Sequence, residues 1–432
     1  MEKLQIKNFA GLKEVTIEVS PITGFIGPQA SGKSIIAKLL YFFREIGSRL
    51  PAAAAEGKDN AHYQAECRKR FMRYFPIENI GASNFEITYW SGNENVRVIF
   101  ARDEATSVEI LRLEWSEFFT AAIEKITQKK QPLLDRFGEV DDEAVSILFA
   151  LREKYEEEAS KVLGPWSRHE QVFIPAHRAF FSQTSATVYT SSEVGESLDP
   201  FMAKFVPLLE RSQGIIGTSG IFDTLETQFP GEEKLNETLR STFKRIMNAE
   251  IGWSDKQIFL RFDDGRHVKL AQASSGQQEV LPLLLLLAHF FSLGRARGRT
   301  VYIEEPEAHL FPPTQKQIVE FMARVFRARQ GKMSLVLTTH SPYILTSINN
   351  LLQAGKLYDG AAPDVKKRLG SIVPLSQTLK PGEVGFYALE NGGATSIIDS
   401  ETGLIDAAVI DEVSDEIATQ FDELLLEGNE KR

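Results

Sequence analysis

The sequence predicts an α/β fold, in which strands and helices alternate along the chain. Short apolar runs typical of buried strands lie at 22–26, 301–303 and 335–338. Longer apolar or amphipathic runs typical of helices lie at 280–291 and 315–329. These runs alternate along the second half of the chain, which predicts a sheet with helices packed against it.

The N-terminal part begins with two runs of strand-like alternation, at 4–9 and 15–19, separated by the turn residues Ala10 and Gly11. The helix that follows the strand at 22–26 should end at Pro51, because proline removes a helical hydrogen bond. A second helix is expected at 62–74. It carries a short basic face, for which a solvated helix surface is the simpler interpretation and contact with a nucleic acid or a partner is the alternative; the basic residues are Arg68, Lys69, Arg70 and Arg73.

The middle of the chain should add a β-hairpin and a compact group of helices. Strands are expected at 85–90 and 96–100, and helices at 115–130 and 141–163. Neither helical run sustains several heptads, so a long coiled-coil arm is not expected. A strand at 172–174 precedes the segment Pro175-Ala176-His177-Arg178, and a hairpin is expected across 258–270.

Composition excludes several classes of protein. The 432 residues carry a net charge of −10, which argues against a generally basic nucleic-acid binder. The single cysteine, Cys67, rules out an intramolecular disulfide and a Cys-pair metal site, and we expect a buried or indifferent thiol. The N-terminus lacks a signal-peptide core, and the most apolar run is too short to span a bilayer. The sequence therefore predicts a cytoplasmic protein without a membrane segment.

The strongest motif is a phosphate-binding loop of the pattern G-x-x-x-x-G-K-S between the strand at 22–26 and the next helix. Its backbone N–H groups and the helix N-terminus are expected to bind phosphates. Lys33 should reach the β- and γ-phosphates, and the Ser34 hydroxyl should bind Mg²⁺. The motif therefore predicts ATP and Mg²⁺ as cofactors; its residues are Gly27, Pro28, Gln29, Ala30, Ser31, Gly32, Lys33 and Ser34.

Three further segments suit a nucleotide site. The strand at 300–303 ends in two carboxylates, of which Glu304 is assigned to the metal and Glu305 to polarising the attacking water. His340 follows the strand at 335–338 and suits contact with the γ-phosphate. Small residues before the helix at 280–291 leave its N-terminus accessible to a phosphate, although a simple N-cap is the alternative; they are Ser274, Ser275, Gly276 and Gln277.

In this order the four segments resemble the ATP-binding-cassette (ABC) ATPases. The loop at 27–34 resembles Walker A, 274–278 the signature motif, 300–305 Walker B with its catalytic glutamate, and His340 the switch histidine. The segments 304–310 and 339–342 resemble the OLD, RecF and SMC members more than the transporters. The resemblance implies an ABC-type head with a mixed β-sheet core, an antiparallel β-subdomain and a compact helical insertion. It also implies a head-to-tail homodimer that holds two ATP molecules, with higher homo-oligomers left open.

The sequence departs from the family pattern at two points. Glu304 stands where Walker B usually ends in aspartate, which OLD-like members allow. No glutamine clearly follows its strand as a Q-loop would, and Gln171 and Arg178 are the candidates left open.

The resemblance divides the chain into four parts. Residues 1–50 form the first part of the head, 51–170 the hairpin and insertion, 171–350 the second part of the head, and 351–432 an extension that closes it. Fewer than 100 residues follow His340, too few for the TOPRIM nuclease domain of OLD proteins. Six acidic residues of the tail are most simply a solvated face, with a metal site as the alternative; they are Asp399, Asp406, Asp411, Glu412, Asp415 and Glu416.

Stand-alone ATPases of this shape resemble the ATPase subunits of the PARIS and Septu anti-phage systems. That resemblance implies a sensor or scaffold that holds a separate nuclease-like toxic effector and releases it when a viral trigger protein binds. A RecF- or SMC-like ATPase of DNA repair or DNA tethering is the alternative, and DNA is then a partner. The length between 34 and 175 argues against a transporter subunit.

Overall fold

A computed structural model describes residues 2–81, 84–102, 109–125, 128, 153–154, 156–157, 159–179, 199–219, 233–254, 257–292, 298–329, 331–406 and 419–420. Its strands are β1 (Glu2–Phe9), β2 (Leu12–Glu18), β3 (Ile22–Ile26), β4 (Phe85–Ser91), β5 (Glu94–Arg102), β6 (Glu109–Trp115), β7 (Glu170–Ile174), β8 (Glu250–Ser254), β9 (Gln257–Arg261), β10 (His267–Lys269), β11 (Arg299–Glu304), β12 (Met333–Thr339), β13 (Val384–Glu390) and β14 (Gly393–Ser396). Its helices are α1 (Lys33–Ala55), α2 (Asn60–Tyr74), α3 (Ile77–Ile80), α4 (Pro200–Ser219), α5 (Glu233–Met247), α6 (Ser275–Ser292), α7 (Pro312–Ala328), α8 (Pro342–Tyr358) and α9 (Pro363–Ile372).

The central sheet has the strand order β14-β13-β3-β12-β11-β7. The five strands from β13 to β7 are parallel, and β14 pairs antiparallel at the edge. Every residue of β3 and β11 is buried, which explains their continuous apolar sequences, because a parallel sheet is covered on both faces. The strand at 384–390 lies far along the chain, yet it pairs directly with β3.

A second sheet is antiparallel and has the order β2-β1-β4-β5-β6. The N-terminal hairpin thus joins the hairpin at 85–102 in one sheet through the pairing of β1 with β4. A third sheet, β10-β9-β8, contains the hairpin expected across 258–270. The predicted α/β fold, with a mixed central sheet and an antiparallel β-subdomain, is confirmed.

Helix α1 lies between the central sheet and the antiparallel sheet. Tyr41 packs against Tyr302 of β11, and Phe43 stacks on Tyr89 of β4. Helix α6 packs in the core that covers the other face of the central sheet, where each residue from Val280 to Ala288 with an apolar side chain is almost fully buried. Burial on all sides explains why this helix lacks a polar stripe.

Several sequence-based expectations are corrected. Helix α1 does not stop at Pro51 but continues to Ala55, because Ala53 and Ala54 are buried and their packing outweighs the lost hydrogen bond. The expected division at 50 therefore falls inside α1, and the one at 350 falls inside α8. The extension from 351 supplies β13, so it completes the central sheet.

Of the helix expected at 115–130, the structure describes 115–125 and residue 128: Trp115 ends β6, and 117–125 are helical. Most of the helix expected at 141–163 lies outside the described residues, as do the acidic residues of the tail beyond Asp406. Within the described part of the chain, no three acidic, histidine or cysteine side chains are grouped as a metal site. The described helices also include none that is long and apolar enough to cross a membrane. Cys67 is fully buried, as expected, and burial raises the pKa of its thiol to about 12.

Candidate nucleotide-binding site

The predicted site residues meet at one edge of the central sheet. Strands β3, β12, β11 and β7 are parallel neighbours, so their carboxyl ends lie side by side. The loop at 27–32 follows β3, His340 follows β12, Glu305 follows β11, and Arg178 lies four residues beyond β7. Open α/β sheets bind ligands at this edge. Segments that are hundreds of residues apart in sequence are thus brought together.

The phosphate-binding loop has the backbone geometry that its glycines predict. Gly27 and Gly32 have φ angles of 155° and 96°, in the region that favours glycine. A Cβ atom on Gly27 would lie 2.3 Å from the Leu389 carbonyl oxygen, and one on Gly32 would lie 2.6 Å from a Leu12 methyl carbon. No side chain caps the N-terminus of α1, so its first N–H groups remain available to a phosphate.

Lys33 lies inside this loop with only 5% of its surface exposed. Its ammonium donates hydrogen bonds to the carbonyl oxygens of Gly27, at 2.9 Å, and Pro28, at 2.7 Å. Burial lowers the pKa of Lys33, whereas the charges of Glu305 and Glu307 raise it. The loop carbonyls therefore hold the ammonium where a bound phosphate chain would pass.

His340 links the lysine to the expected catalytic carboxylate. Its Nδ1 atom lies 3.5 Å from Lys33 Nζ, and its Nε2 atom lies 3.4 Å from Glu305 Oε1. The Glu305 backbone has a φ angle of 44°, and its N–H donates to the Thr338 carbonyl oxygen at 2.9 Å. Its side chain is 40% exposed, so a water molecule can approach the carboxylate. Lys33, His340 and Glu305 thus form one polar row across β3, β12 and β11.

Arg178 is fully buried and holds the end of β11 in place. Its guanidinium donates to four backbone carbonyl oxygens, those of Pro175, Glu279, Glu304 and Glu305, at 2.7–3.0 Å. Its backbone N–H also donates to the Glu279 carboxylate at 2.8 Å. Burial lowers the pKa of Arg178, and the nearby carboxylates, Glu279 first, oppose that effect. Arg178 therefore positions the two carboxylates of the site.

Gln171, the other Q-loop candidate, lies at the opposite end of β7. Its partner in β11 is Thr300, near the start of that strand. Its side-chain amide donates to the His169 carbonyl oxygen at 3.0 Å and accepts from the Tyr302 hydroxyl at 2.9 Å. This position separates Gln171 from the edge that carries the loop, so it does not belong to the site.

The segment 274–277 forms the N-terminus of α6. Ser274 and Gln277 bond to each other, with Ser274 Oγ 3.0 Å from Gln277 Oε1, as in a helix cap. Ser274 and Ser275 are exposed, whereas a Cβ atom on Gly276 would lie 2.6 Å from the His309 carbonyl oxygen. The glycine thus lets α6 pack directly on the turn that follows Glu305, while the serines face outward.

The structure adds a residue that the sequence analysis did not single out, Glu307. One carboxylate oxygen accepts hydrogen bonds from the Thr339 hydroxyl and from the His340 N–H, both at 2.7 Å. The other oxygen is buried and has no hydrogen-bond partner among the described residues. Burial raises the pKa of Glu307. In the sequence, the one feature that points to this role is that Glu307 follows Glu304 and Glu305 as a third nearby carboxylate.

The donor set fits Mg²⁺ bound together with a phosphate chain. Mg²⁺ takes one or two protein oxygens and completes its octahedron with phosphate and water oxygens. Ser34 lies in the first turn of α1, and Glu304 is a mostly buried carboxylate at the end of β11, 8% exposed. The Thr338 hydroxyl, in register with Glu304, is also buried without a hydrogen-bond partner among the described residues. Hydroxyl and carboxylate oxygens of this kind are ligands that Mg²⁺ accepts.

Comparison with solved structures finds similar proteins at low sequence identity. One is the SMC head domain from Thermotoga maritima, 13% identical, covering 91% of this chain and 97% of that chain with a TM-score of 0.34. Another is the Smc head bound to the C-winged helix domain of ScpA, with 12% identity, coverage of 91% and 96%, and a TM-score of 0.39. A third is the recombination mediator RecF-ATPrS, with 10% identity, coverage of 91% and 97%, and a TM-score of 0.33.

The search of curated proteins found no match. A family model described as "AAA domain, putative AbiEii toxin, Type IV TA system" matches residues 22–346, well over half of the chain. The match begins at β3 and extends past His340, so it encloses the loop and the carboxylates. It confirms the expectation of a nucleotide-binding ATPase. The chain belongs to this AAA-domain family.

Proposed function

We propose that this protein is an ABC-type ATPase that binds ATP with Mg²⁺, hydrolyses it slowly, and uses the nucleotide state as a switch. The observation that carries the proposal is the polar row of Lys33, His340 and Glu305 beside the phosphate-binding loop. A row of this kind supplies a phosphate-binding cation, a contact for the γ-phosphate and a carboxylate for the attacking water.

In this mechanism the loop amides and Lys33 bind the phosphates, and Ser34 and Glu304 would hold Mg²⁺, which would offset the negative charge of the phosphates. Glu305 polarises the water, and Arg178 keeps its backbone in place. The outward-facing serines of the segment 274–277 contact the γ-phosphate of an ATP molecule bound by a second subunit, so that ATP joins two heads. Hydrolysis then releases the dimer.

We further propose that the switch acts in anti-phage defence, as a cytoplasmic sensor and scaffold of the PARIS or Septu kind. It would hold a separate nuclease-like toxic effector and release it when a viral trigger protein binds. The family's description refers to a toxin of a toxin–antitoxin system, a setting that involves a second protein. This supports a partner protein beyond the homodimer or a higher homo-oligomer.

A DNA-repair or DNA-tethering ATPase is the second candidate, motivated by the basic face of α2. In the structure, fewer of the basic side chains of that face are exposed than the sequence suggests. Arg70 is removed from it, because its side chain is only 10% exposed and donates to Glu66 at 2.8 Å. Lys69 and Arg73 remain exposed, and Arg68 is half-buried. Two exposed cations and one half-buried one are a weak electrostatic basis for binding a phosphate backbone.

The test measures mass in solution, with and without ATP and Mg²⁺, for the Glu305→Gln protein co-expressed with the product of the neighbouring gene. The matched control is Lys33→Ala, which should bind no nucleotide. Glu305→Gln should bind ATP and remain dimeric, because the water is no longer polarised. The scaffold proposal predicts an ATP-dependent complex that contains the neighbour.

Two results separate the parts of this proposal. Identical behaviour of Lys33→Ala and Glu305→Gln would contradict the roles of these residues and thus the ATPase mechanism. An ATP-dependent dimer that ignores the neighbour but binds DNA in a salt-sensitive manner would support the repair candidate instead.

A further inference from the structure

A cavity of about 590 Å³ lies at the end of the central sheet opposite the nucleotide site. Its walls come from the second half of α1, the segment 167–169, the starts of β7 and β11, and α4; they include Glu45, Arg49, Arg168, His169, Lys204 and Arg299. A cavity of this size can hold a ligand as large as a mononucleotide. Because Arg299 and Gln171 begin strands whose other ends carry the site, this cavity is separate from it.

Basic groups outnumber acidic ones around the buried carboxylate in its wall. Glu45 is 2% exposed, and its carboxylate lies 2.9 Å from Arg49, 2.8 Å from Lys204 and 3.9 Å from Arg70. One negative charge thus faces three positive ones, of which Arg70 is shared with Glu66. Burial lowers the pKa of Lys204 to about 8, with Glu45 opposing, so the ammonium remains mostly charged at pH 7.

Arg299 supplies a buried donor that lacks an acceptor. The residue is 8% exposed, and its Nε atom bonds to Glu170 at 3.0 Å. Its Nη1 atom is buried and has no hydrogen-bond partner among the described residues. An unsatisfied buried donor on a charged group is costly, and native proteins seldom leave one without a reason. Because this nitrogen has almost no accessible surface, an oxyanion in the cavity could accept from it only after the guanidinium turns toward the cavity.

Arg168 stands exposed in the same wall, and no ion pair joins it to another described residue. His169 beside it has its pKa lowered to about 4 by burial and by the charge of Arg44, so it is a neutral donor or acceptor at pH 7. The acidic residues of the wall are Glu45, Glu156 and Glu170. Glu45 is already paired with several cations and Glu170 with Arg299, which leaves Arg168 and one nitrogen of Arg299 for a ligand.

We propose that this cavity binds a phosphorylated small molecule, with the phosphate between Arg168 and Arg299. Arginine forks match the paired oxygens of phosphate, and the wall carries one more basic than acidic residue, which favours an anion there. The site is distinct from the one that holds ATP, so it can bind a ligand while the nucleotide site is disabled.

The experiment is calorimetric titration of the full-length Lys33→Ala protein with inorganic phosphate, pyrophosphate and AMP in turn. This background removes binding at the nucleotide loop, so failure here leaves the ATPase proposal untouched. At least one probe should bind with one site per chain. Arg168→Gln, added to that background, should weaken binding about tenfold or more, because it removes a charge-assisted hydrogen bond.

Arg299→Gln should weaken binding at least as much. If the Arg299→Gln protein does not fold, Arg168→Gln still provides the test, because Arg168 is exposed and its replacement should not disturb folding. Arg368→Gln on α9 is the matched control and should leave binding unchanged, because Arg368 pairs with Asp364 on an exposed helix face. Two results would overturn the proposal: no heat of binding from any probe at millimolar concentration, or equal affinities for the Arg168→Gln and Arg368→Gln proteins.

Discussion

Replacing Arg178 with methionine should destabilise the protein by about 4 kcal/mol. The substitution leaves the carbonyl oxygens of Glu304 and Glu305 without their donor and the buried Glu279 carboxylate without its cation. Removing one partner of a buried ion pair costs about 3–5 kcal/mol, and each buried acceptor left without a donor costs about 1–3 kcal/mol. These costs arise at one site and are not independent, so the total loss should be smaller than their sum.

The assay is denaturant-induced unfolding followed by far-ultraviolet circular dichroism, with Arg368→Met as the control. The control should shift the free energy of unfolding by less than about 0.5 kcal/mol, because Arg368 is exposed. Combining Arg178→Met with Glu279→Gln should recover part of the loss, since the second change removes the unpaired buried charge.

The same variant tests the positioning role of Arg178. It should still bind ATP, because Lys33 and the loop are unchanged, but it should hydrolyse ATP more slowly, because the carbonyl of Glu305 has lost its anchor. A loss of stability below about 1 kcal/mol, or hydrolysis at the unmodified rate, would contradict the anchoring role of Arg178.

Three further predictions concern other parts of the structure. Glu307→Gln should keep ATP affinity within about threefold but lower the hydrolysis rate roughly tenfold or more, measured by phosphate release, because the amide accepts the His340 N–H less strongly than the carboxylate does; an unchanged rate would show that Glu307 only fills space. Gly27→Ala should weaken ATP binding at least tenfold in a titration, since its Cβ would lie 2.3 Å from the Leu389 carbonyl oxygen and must displace the loop; unaltered affinity would contradict the loop geometry. Because the pKa of His169 is lowered to about 4, the unfolded chain takes up a proton first as the pH falls, so the free energy of unfolding should fall between pH 6.5 and 4. His169→Gln should flatten that slope in thermal unfolding at several pH values, and an equal slope in both proteins would exclude this histidine as the cause.

The phosphate-binding loop could be predicted from the sequence, because the spacing of Gly27, Gly32 and Lys33 directly encodes a local backbone conformation. It also determined the strands that carry Glu305 and His340, since fully buried parallel strands show as short continuous apolar runs. These features depend on residues close together in the chain. The α/β fold followed from the same local patterns.

Which distant residues contact each other could not be predicted from the sequence and became visible in the folded chain. Arg178 and Glu305 are hydrogen-bonded although they are 127 positions apart in the chain, and no local sequence pattern predicts that contact. Arg70 is a second example: its sequence position predicts a place on a basic helix face, but its side chain lies inward beside Glu66 and Glu45. Gln171 lies near the start of β7, and only the parallel pairing of β7 with β11 shows that this end of the strand is opposite the nucleotide site. Strand order and helix packing determine these contacts. Both depend on burial summed over the whole core and not on any one segment, so a local sequence pattern does not reveal them.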